Sequence, residues 1–150
     1  MTLPDVAGDT LRLVLRGGTS ALREAQLAAA DFLRGCGAGP RTAARAELLL
    51  EELALNTLRH GFKAGGTPEL VVTAWHDGAR CGLDLEDRGL PFDPTKAAQP
   101  SKPGSLQEAP IGGLGVPLVQ RIAAELAYER TADGLNRLHL VLPAEDAPIG

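Results

Sequence analysis

The apolar residues of this chain change their spacing between residues 60 and 70, and that change restricts the fold more than any other feature. From about Arg41 to His60 they recur at helical spacing. Leu70 to Trp75 is instead rich in β-formers, and Cys81, Leu83 and Leu85 then alternate with Gly82, Asp84 and Glu86. His76-Asp77-Gly78-Ala79 reads as the hairpin turn between the two strands. Such alternation predicts one buried and one wet face, the antiparallel habit.

The same test places the other elements. Leu11, Leu13 and Leu15 alternate with Arg12, Val14 and Arg16, which predicts a strand after a short frayed start over residues 1–9. Gly17 and Gly18 end it, and Thr19 or Ser20 can cap a helix whose apolar positions are Leu22, Ala25, Ala29, Phe32 and Leu33. Gly35, Gly37, Gly39 and Pro40 separate this helix from the one beginning near Arg41, for which Gly61 is the expected C′ residue. A third helix is expected from Gly115, with Leu118, Val119, Ile122 and Leu126 on one face. Asp133-Gly134 turns between two final strands, around Ala127–Arg130 and Leu135–Leu142. Strands in hairpins and helices in groups predict an α+β two-layer sandwich, one mostly antiparallel sheet with helices on one face. Residues 88–113 have no period but many prolines and glycines, and a loop of that length inside a compact domain is expected to be functional.

At 150 residues the chain is expected to form a single domain, 1–150. That size buries roughly 70% of the extended surface, enough to need no disulfide or metal staple. With 44% hydrophobic and 23% charged residues it is neither disordered nor collagen-like. Aromatics make up only 3%, which leaves few platforms for stacking single-stranded bases. A net charge of -4 argues against a general phosphate-backbone binder, so no direct nucleic-acid partner is expected. Cys36 and Cys81 lie far apart and read as free thiols in a reducing compartment. No apolar run approaches the ~20 residues of a membrane span, and the first residues lack a basic and an apolar region of a leader. A cytoplasmic protein without a membrane partner is therefore expected.

Several sites are missing from the sequence. GxxxxGK[ST], HExxH, CxxC and GxSxG do not occur. His60, His76 and His139 have no metal-ligand spacing, and a dinucleotide fingerprint at Gly113-Leu114-Gly115 would need a glycine where Leu118 stands.

Three features carry chemistry. Glu52 and Asn56 are four residues apart, so they share a helix face, and Leu48, Leu49, Leu53 and Leu55 surround them on the wheel. A carboxylate and an amide inside an apolar arc need partners. They are a core pair bonded to backbone, or lie on a wheel that turns a little toward water, or line a site, with the amide oxygen suited to Mg²⁺ and the carboxylate to a general base. Asp87 has the strand parity of Cys81, Leu83 and Leu85, so it points to the buried side at the strand's end, where it can accept from an exocyclic amine such as adenine's. Gly89 would let a ligand approach the backbone. A local turn bonded by Asp87 is the alternative. Gly112-Gly113-Leu114-Gly115-Val116-Pro117 runs into a helix, which offers N–H groups and a positive helix end to an anion, or is simply a hinge and cap. Together they describe a divided site for metal, adenine and phosphates, with the Pro/Gly-rich stretch as its lid.

In this order and spacing the three motifs resemble the GHKL ATPase superfamily, and within it the anti-sigma-factor serine kinases of the RsbW/SpoIIAB type, over nearly the whole chain. Glu51-Glu52-Leu53-Ala54-Leu55-Asn56-Thr57-Leu58-Arg59-His60-Gly61 resembles the family's N box, Asp87-x-Gly89-x-x-Phe92 its first glycine box, and Gly112-Gly113-Leu114-Gly115 its second. The resemblance implies the Bergerat fold, which is the α+β sandwich inferred above, with an ATP lid over about 88–113. It implies ATP and Mg²⁺ as cofactors, Asn56 as Mg²⁺ ligand and Glu52 as the catalytic base. Asp87 would read the adenine amine beside Gly89 and Phe92. Gly112, Gly113, Leu114, Gly115 and Val116 would line the phosphate side, and Arg59, His60 and Gly61 would border the nucleotide.

It further implies an ATP-dependent serine/threonine protein kinase of a partner-switching system. Such a kinase phosphorylates a STAS-domain antagonist, binds a sigma-factor-like regulator and commonly forms a homodimer. An ATP-dependent sequestering regulator without phosphotransfer and a detached histidine-kinase-like module are the alternatives. Against the latter, no histidine has the His-(Asp/Glu)-x-x-x-Pro pattern of a phosphoacceptor helix. Two departures stand out. Pro117 follows the second glycine box, and the late-strand Thr that touches phosphate in many relatives has Asn136 as its candidate substitute, within Leu135-Asn136-Arg137-Leu138-His139.

Overall fold

A computed structural model describes residues 3, 6–16, 20–60, 68–96 and 115–148. Its elements in chain order are β1 (Asp9–Arg16), α1 (Leu22–Gly35), α2 (Pro40–His60), β2 (Glu69–His76), β3 (Cys81–Asp87), α3 (Gly115–Ile122), β4 (Glu125–Arg130) and β5 (Asn136–Val141). The strands form one sheet in the order β1-β2-β3-β5-β4, antiparallel at every junction. The fold is the expected α+β two-layer sandwich. Most of the expected lid, residues 97–113, lies outside the described residues. Among the described residues no helix is long and apolar enough to cross a membrane.

One face of the sheet is covered by helices. Leu15, Leu70, Val72, Ala74, Leu83, Leu85, Leu138 and Leu140 pack there against Leu22, Ala29 and Leu33 of α1, Leu49, Leu50 and Leu53 of α2, and Val119 and Ile122 of α3. Burying one such Leu contributes roughly 1.5–3 kcal/mol, so this layer is the main stabilising element. α1 and α2 are also joined by a buried polar contact, Gln26 Nε2 donating to the Glu47 carbonyl at 2.8 Å.

The β2–β3 turn follows its sequence signal: Gly78 has φ +97°, and Asp77 Oδ1 accepts from the N–H groups of Ala79 and Arg80. Gly134, at φ +91°, serves the β4–β5 turn in the same way.

Four expectations are corrected. α1 has Ala21 at its N-cap with no side-chain cap, so Ser20 does not act as expected there, and Thr19 lies outside the described residues. α3 stops at Ile122, because Ala124 N–H turns to the Val141 carbonyl and draws the chain into the sheet. Leu126 therefore pairs with Leu140 in β4 instead of extending the helix. The start of the chain is not simply frayed: Leu3 is buried, and its N–H donates to Glu129 Oε2 at 3.2 Å. Finally, the second sheet face is not simply wet. Trp75 lies over Gly82, where an added Cβ would meet its ring, and stacks on His139 with centroids 5.3 Å apart. Both rings donate to or share a proton with Asp84 Oδ1, at 3.0 Å from Trp75 Nε1 and 2.7 Å from His139 Nδ1. An aromatic pair closing over a carboxylate keeps water from this part of the face, and burial pushes the Asp84 carboxyl above its ordinary pKa against the pull of His139.

Candidate functional site

Glu52 and Asn56 lie one turn apart on α2, and both are half-buried. The buried stripe of that helix is Ala43, Ala46, Leu49, Leu50, Leu53, Ala54 and Leu58. The two polar residues therefore border the apolar arc with the half-buried Leu48 and Leu55 instead of lying within it, which is the alternative of a wheel turned a little toward water. The roll has a physical cause. It turns the small Ala43, Ala46 and Ala54 inward and leaves the carboxylate a route to water, which avoids several kcal/mol of desolvation.

α3 begins against that border. A Cβ added at Gly115 would overlap Glu52 Oε2 and come within 3.2 Å of the Glu52 Cβ. Glycine is thus required for the close approach of the α3 N-terminus, whose partial positive charge favours a carboxylate there. The next residue, Val116, is buried at 3% exposure and belongs to the packing of α3. Arg59 is exposed further along α2, and His60 ends the helix. Gly61, Gly112, Gly113 and Leu114 lie outside the described residues.

Asp87 closes β3, half-buried, opposite Asn136 of β5 in register. Its Oδ1 accepts from Gly89 N–H at 2.8 Å and from Asn136 Nδ2 at 2.9 Å. The local-turn reading of Asp87 is therefore present, and it uses one carboxylate oxygen. Among the described residues Oδ2 accepts no hydrogen bond. Asn136 Nδ2 also donates to the Leu90 carbonyl at 3.0 Å, and Arg130 Nη1 donates to the Gly89 carbonyl at 2.8 Å. The Tyr128 hydroxyl donates to Asn136 Oδ1. Burial raises the Tyr128 pKa, while the Phe92 backbone N–H and Arg130 act to lower it. Phe92 itself is 42% exposed, beside the exposed Leu90. Gln120 of α3 donates to the Pro94 carbonyl at 2.7 Å and ties the segment after Phe92 to the helix that begins at Gly115.

The structure thus brings Glu52 to Gly115, and Asp87 to Gly89. It places Asn136 on Asp87, so the candidate substitute for a phosphate-touching Thr serves the Asp87 end. Sequence reasoning missed Tyr128 and Arg130. A signal for Asn136 was available: it has the parity of the buried Leu138 and Leu140, and a polar side chain at such a position needs several partners. Nothing comparable marks Tyr128, because its partner is set by register across β4 and β5.

The donor set fits the groups expected here. Among the described residues no cluster of three or more His, Cys, Asp or Glu side chains forms. One amide oxygen with a carboxylate a turn away suits Mg²⁺, which keeps waters and shares substrate phosphates instead of filling an all-protein cage. The unengaged Asp87 Oδ2 suits an amine donor.

Two comparisons bear on this arrangement. Residues 18–142 match the histidine kinase-like ATPase domain family. The chain is also similar to the serine/threonine-protein kinase BtrW of Bordetella bronchiseptica, with 33% identity over 101 residues, 67% of this chain and 69% of the relative.

Proposed function

The chain belongs to the histidine kinase-like ATPase family, and from that premise we propose that it is an ATP- and Mg²⁺-dependent protein-serine/threonine kinase of a partner-switching system. In this reading its substrate is a small STAS-type antagonist and its second partner a sigma-factor-like regulator. The observation that carries the reading is the meeting of Glu52 with Gly115, which puts a half-buried carboxylate at the start of a helix that follows Gly112-Gly113-Leu114 in sequence. Similarity to a protein named as a serine/threonine kinase supports it.

ATP with Mg²⁺ supplies the transferable phosphoryl group. Asp87 holds the base through its Oδ2, with Gly89 and Phe92 beside it. Asn56 supplies an amide oxygen to Mg²⁺. The backbone of Gly112 to Gly115 and the first turn of α3 through Val116 line the phosphate side, and Arg59, His60 and Gly61 border the nucleotide. Glu52 takes or orients the proton of the attacking hydroxyl, a role that contributes typically 10²–10⁴-fold.

The test is Glu52→Gln, mixed with ATP, Mg²⁺ and a candidate STAS partner and read by intact mass. The native protein should add one phosphate mass to the partner. The variant should bind nucleotide as before and transfer at least 10²-fold more slowly. Unchanged transfer by the variant removes Glu52 from the mechanism. Nucleotide-dependent partner binding without transfer by the native protein replaces the kinase with a sequestering switch.

A further inference from the structure

We propose that Asn136, held by Tyr128, is a positioning residue that sets the base selectivity of Asp87, favouring a purine with an amino group at C6 over one with a carbonyl there. This rests on the nucleotide reading above and adds to it two residues outside the three motifs.

The oxygen and nitrogen of an Asn are distinguished only by their surroundings. Here one end faces Asp87 Oδ1 at 2.9 Å, the Leu90 carbonyl at 3.0 Å and the Gly89 carbonyl at 3.4 Å, all of them acceptors. That end must be the NH₂. The other end receives the Tyr128 hydroxyl. The three acceptors fix this orientation and the Tyr128 hydroxyl fits it, so the amide cannot flip without setting its oxygen against all three. Asn136 is only 6% exposed, so its amide cannot turn to water for replacement partners.

The consequence falls on Asp87. Two donors, Asn136 Nδ2 and Gly89 N–H, fix its Oδ1 and therefore the plane of its carboxylate. Oδ2 remains a pure acceptor with a defined direction. The same clamp fixes the turn beside it, because Asn136 and Arg130 together hold the Gly89 and Leu90 carbonyls. A carboxylate held this way gains a bond from an amine and meets repulsion from a carbonyl. Without the Tyr128 hydroxyl the amide oxygen loses its donor and the side chain is held less firmly against Asp87, and without the amide the carboxylate can rotate. Either change blunts discrimination before it abolishes binding.

The experiment is equilibrium titration of the full chain with ADP and with inosine diphosphate, in Mg²⁺, for native protein, Tyr128→Phe and Asn136→Ala, alongside thermal unfolding. Native protein should prefer ADP by at least tenfold. The variants should narrow that ratio about tenfold, equivalent to about 1.4 kcal/mol, with inosine diphosphate affinity held within about threefold. A merely structural role would weaken both ligands together and leave the ratio intact, which overturns the proposal. Asn136→Ala removes a buried hub and can fail to fold. Tyr128→Phe deletes a single hydroxyl, and an unchanged ratio in that folded variant overturns the proposal equally. If native protein binds neither diphosphate, the nucleotide reading itself fails and the proposal falls with it. Native preference combined with unchanged variant ratios sinks the positioning role alone.

Discussion

The two ends of α2 satisfy their polar side chains in opposite ways. At the N-terminal end the partners come from the chain's own C-terminal segment. Glu145 lies across the start of the helix, its carboxylate accepting from the N–H groups of Arg41 and Thr42 at 2.9 and 2.7 Å and from the Thr42 hydroxyl at 2.9 Å. Arg45, one turn on and only 5% exposed, donates to the carbonyls of Ala144 and Ala147. At the other end Glu52 faces a glycine of α3, and Asn56 and Arg59 lie progressively closer to solvent. A helix that needs only stability closes its polar groups on itself. One end of α2 is closed by the segment around Glu145, and the other is left open beside a gap that only glycine can make.

The sharpest way to break this contrast is to fill the gap. Gly115→Ala puts a methyl group where Glu52 Oε2 now lies, so the carboxylate or the helix must shift. Displacement of a catalytic group by about 1 Å can cost on the order of 10²-fold in rate. On the proposed kinase reading, phosphotransfer to the partner should fall by about that factor, measured by single-turnover transfer from ATP, while the unfolding midpoint drops only slightly. A rate within twofold of native would show that the approach of Glu52 to Gly115 is packing alone.

How much of this was visible in the sequence follows the same division. The alternation at Leu11–Leu15 and Cys81–Leu85 and the helical spacing from Arg41 were legible because each element buries a face against the layer opposite. Glu52, Asn56, Asp87 and the glycines stood out because their residue types conflict with those faces. The closed end did not stand out. Arg45 looks like a solvated arginine, and Glu145 follows the last expected strand in a stretch with no period. The bonds of Arg45 to Ala144 and Ala147, and of Glu145 to Arg41 and Thr42, span 99 residues or more, and a single sequence carries no signal for a cap supplied from so far away. The outer face failed for a related reason: Trp75, Asp84 and His139 occupy positions that alternation assigns to water, and only register across three strands gathers them into one cluster.

The closed end can be broken at Arg45. Arg45→Ala removes two hydrogen bonds from a charged donor and leaves the carbonyls of Ala144 and Ala147 without it. Bonds to charged groups are worth about 1.5–3 kcal/mol each, with the exposed carbonyls recovering part of that in water. A net loss of about 2–3 kcal/mol is expected, a fall of roughly 5–10 °C in the unfolding midpoint for a chain of this size. Nucleotide affinity should be unchanged, which separates this end from the other. A comparable loss of affinity in the folded variant would mean that the two ends of α2 are coupled.

The finest test uses pH on Glu145. Burial raises this carboxyl, but the backbone N–H groups of Arg41 and Thr42 and the Thr42 hydroxyl outweigh that and hold its pKa below the ordinary 4.5. The folded state therefore binds the proton less readily than the unfolded chain. The contact contributes its full stability above about 4.5 and loses it as pH falls through the lowered folded value. Glu145→Gln keeps the size and one acceptor but not the charge. At pH 7 the native protein should melt above the variant. That gap should shrink as the pH is lowered below about 4.5, because protonation then makes the two side chains alike. A gap that stays constant across this range would place the stabilisation in shape and neutral hydrogen bonding, and the charge of Glu145 would have no part in closing this end of α2.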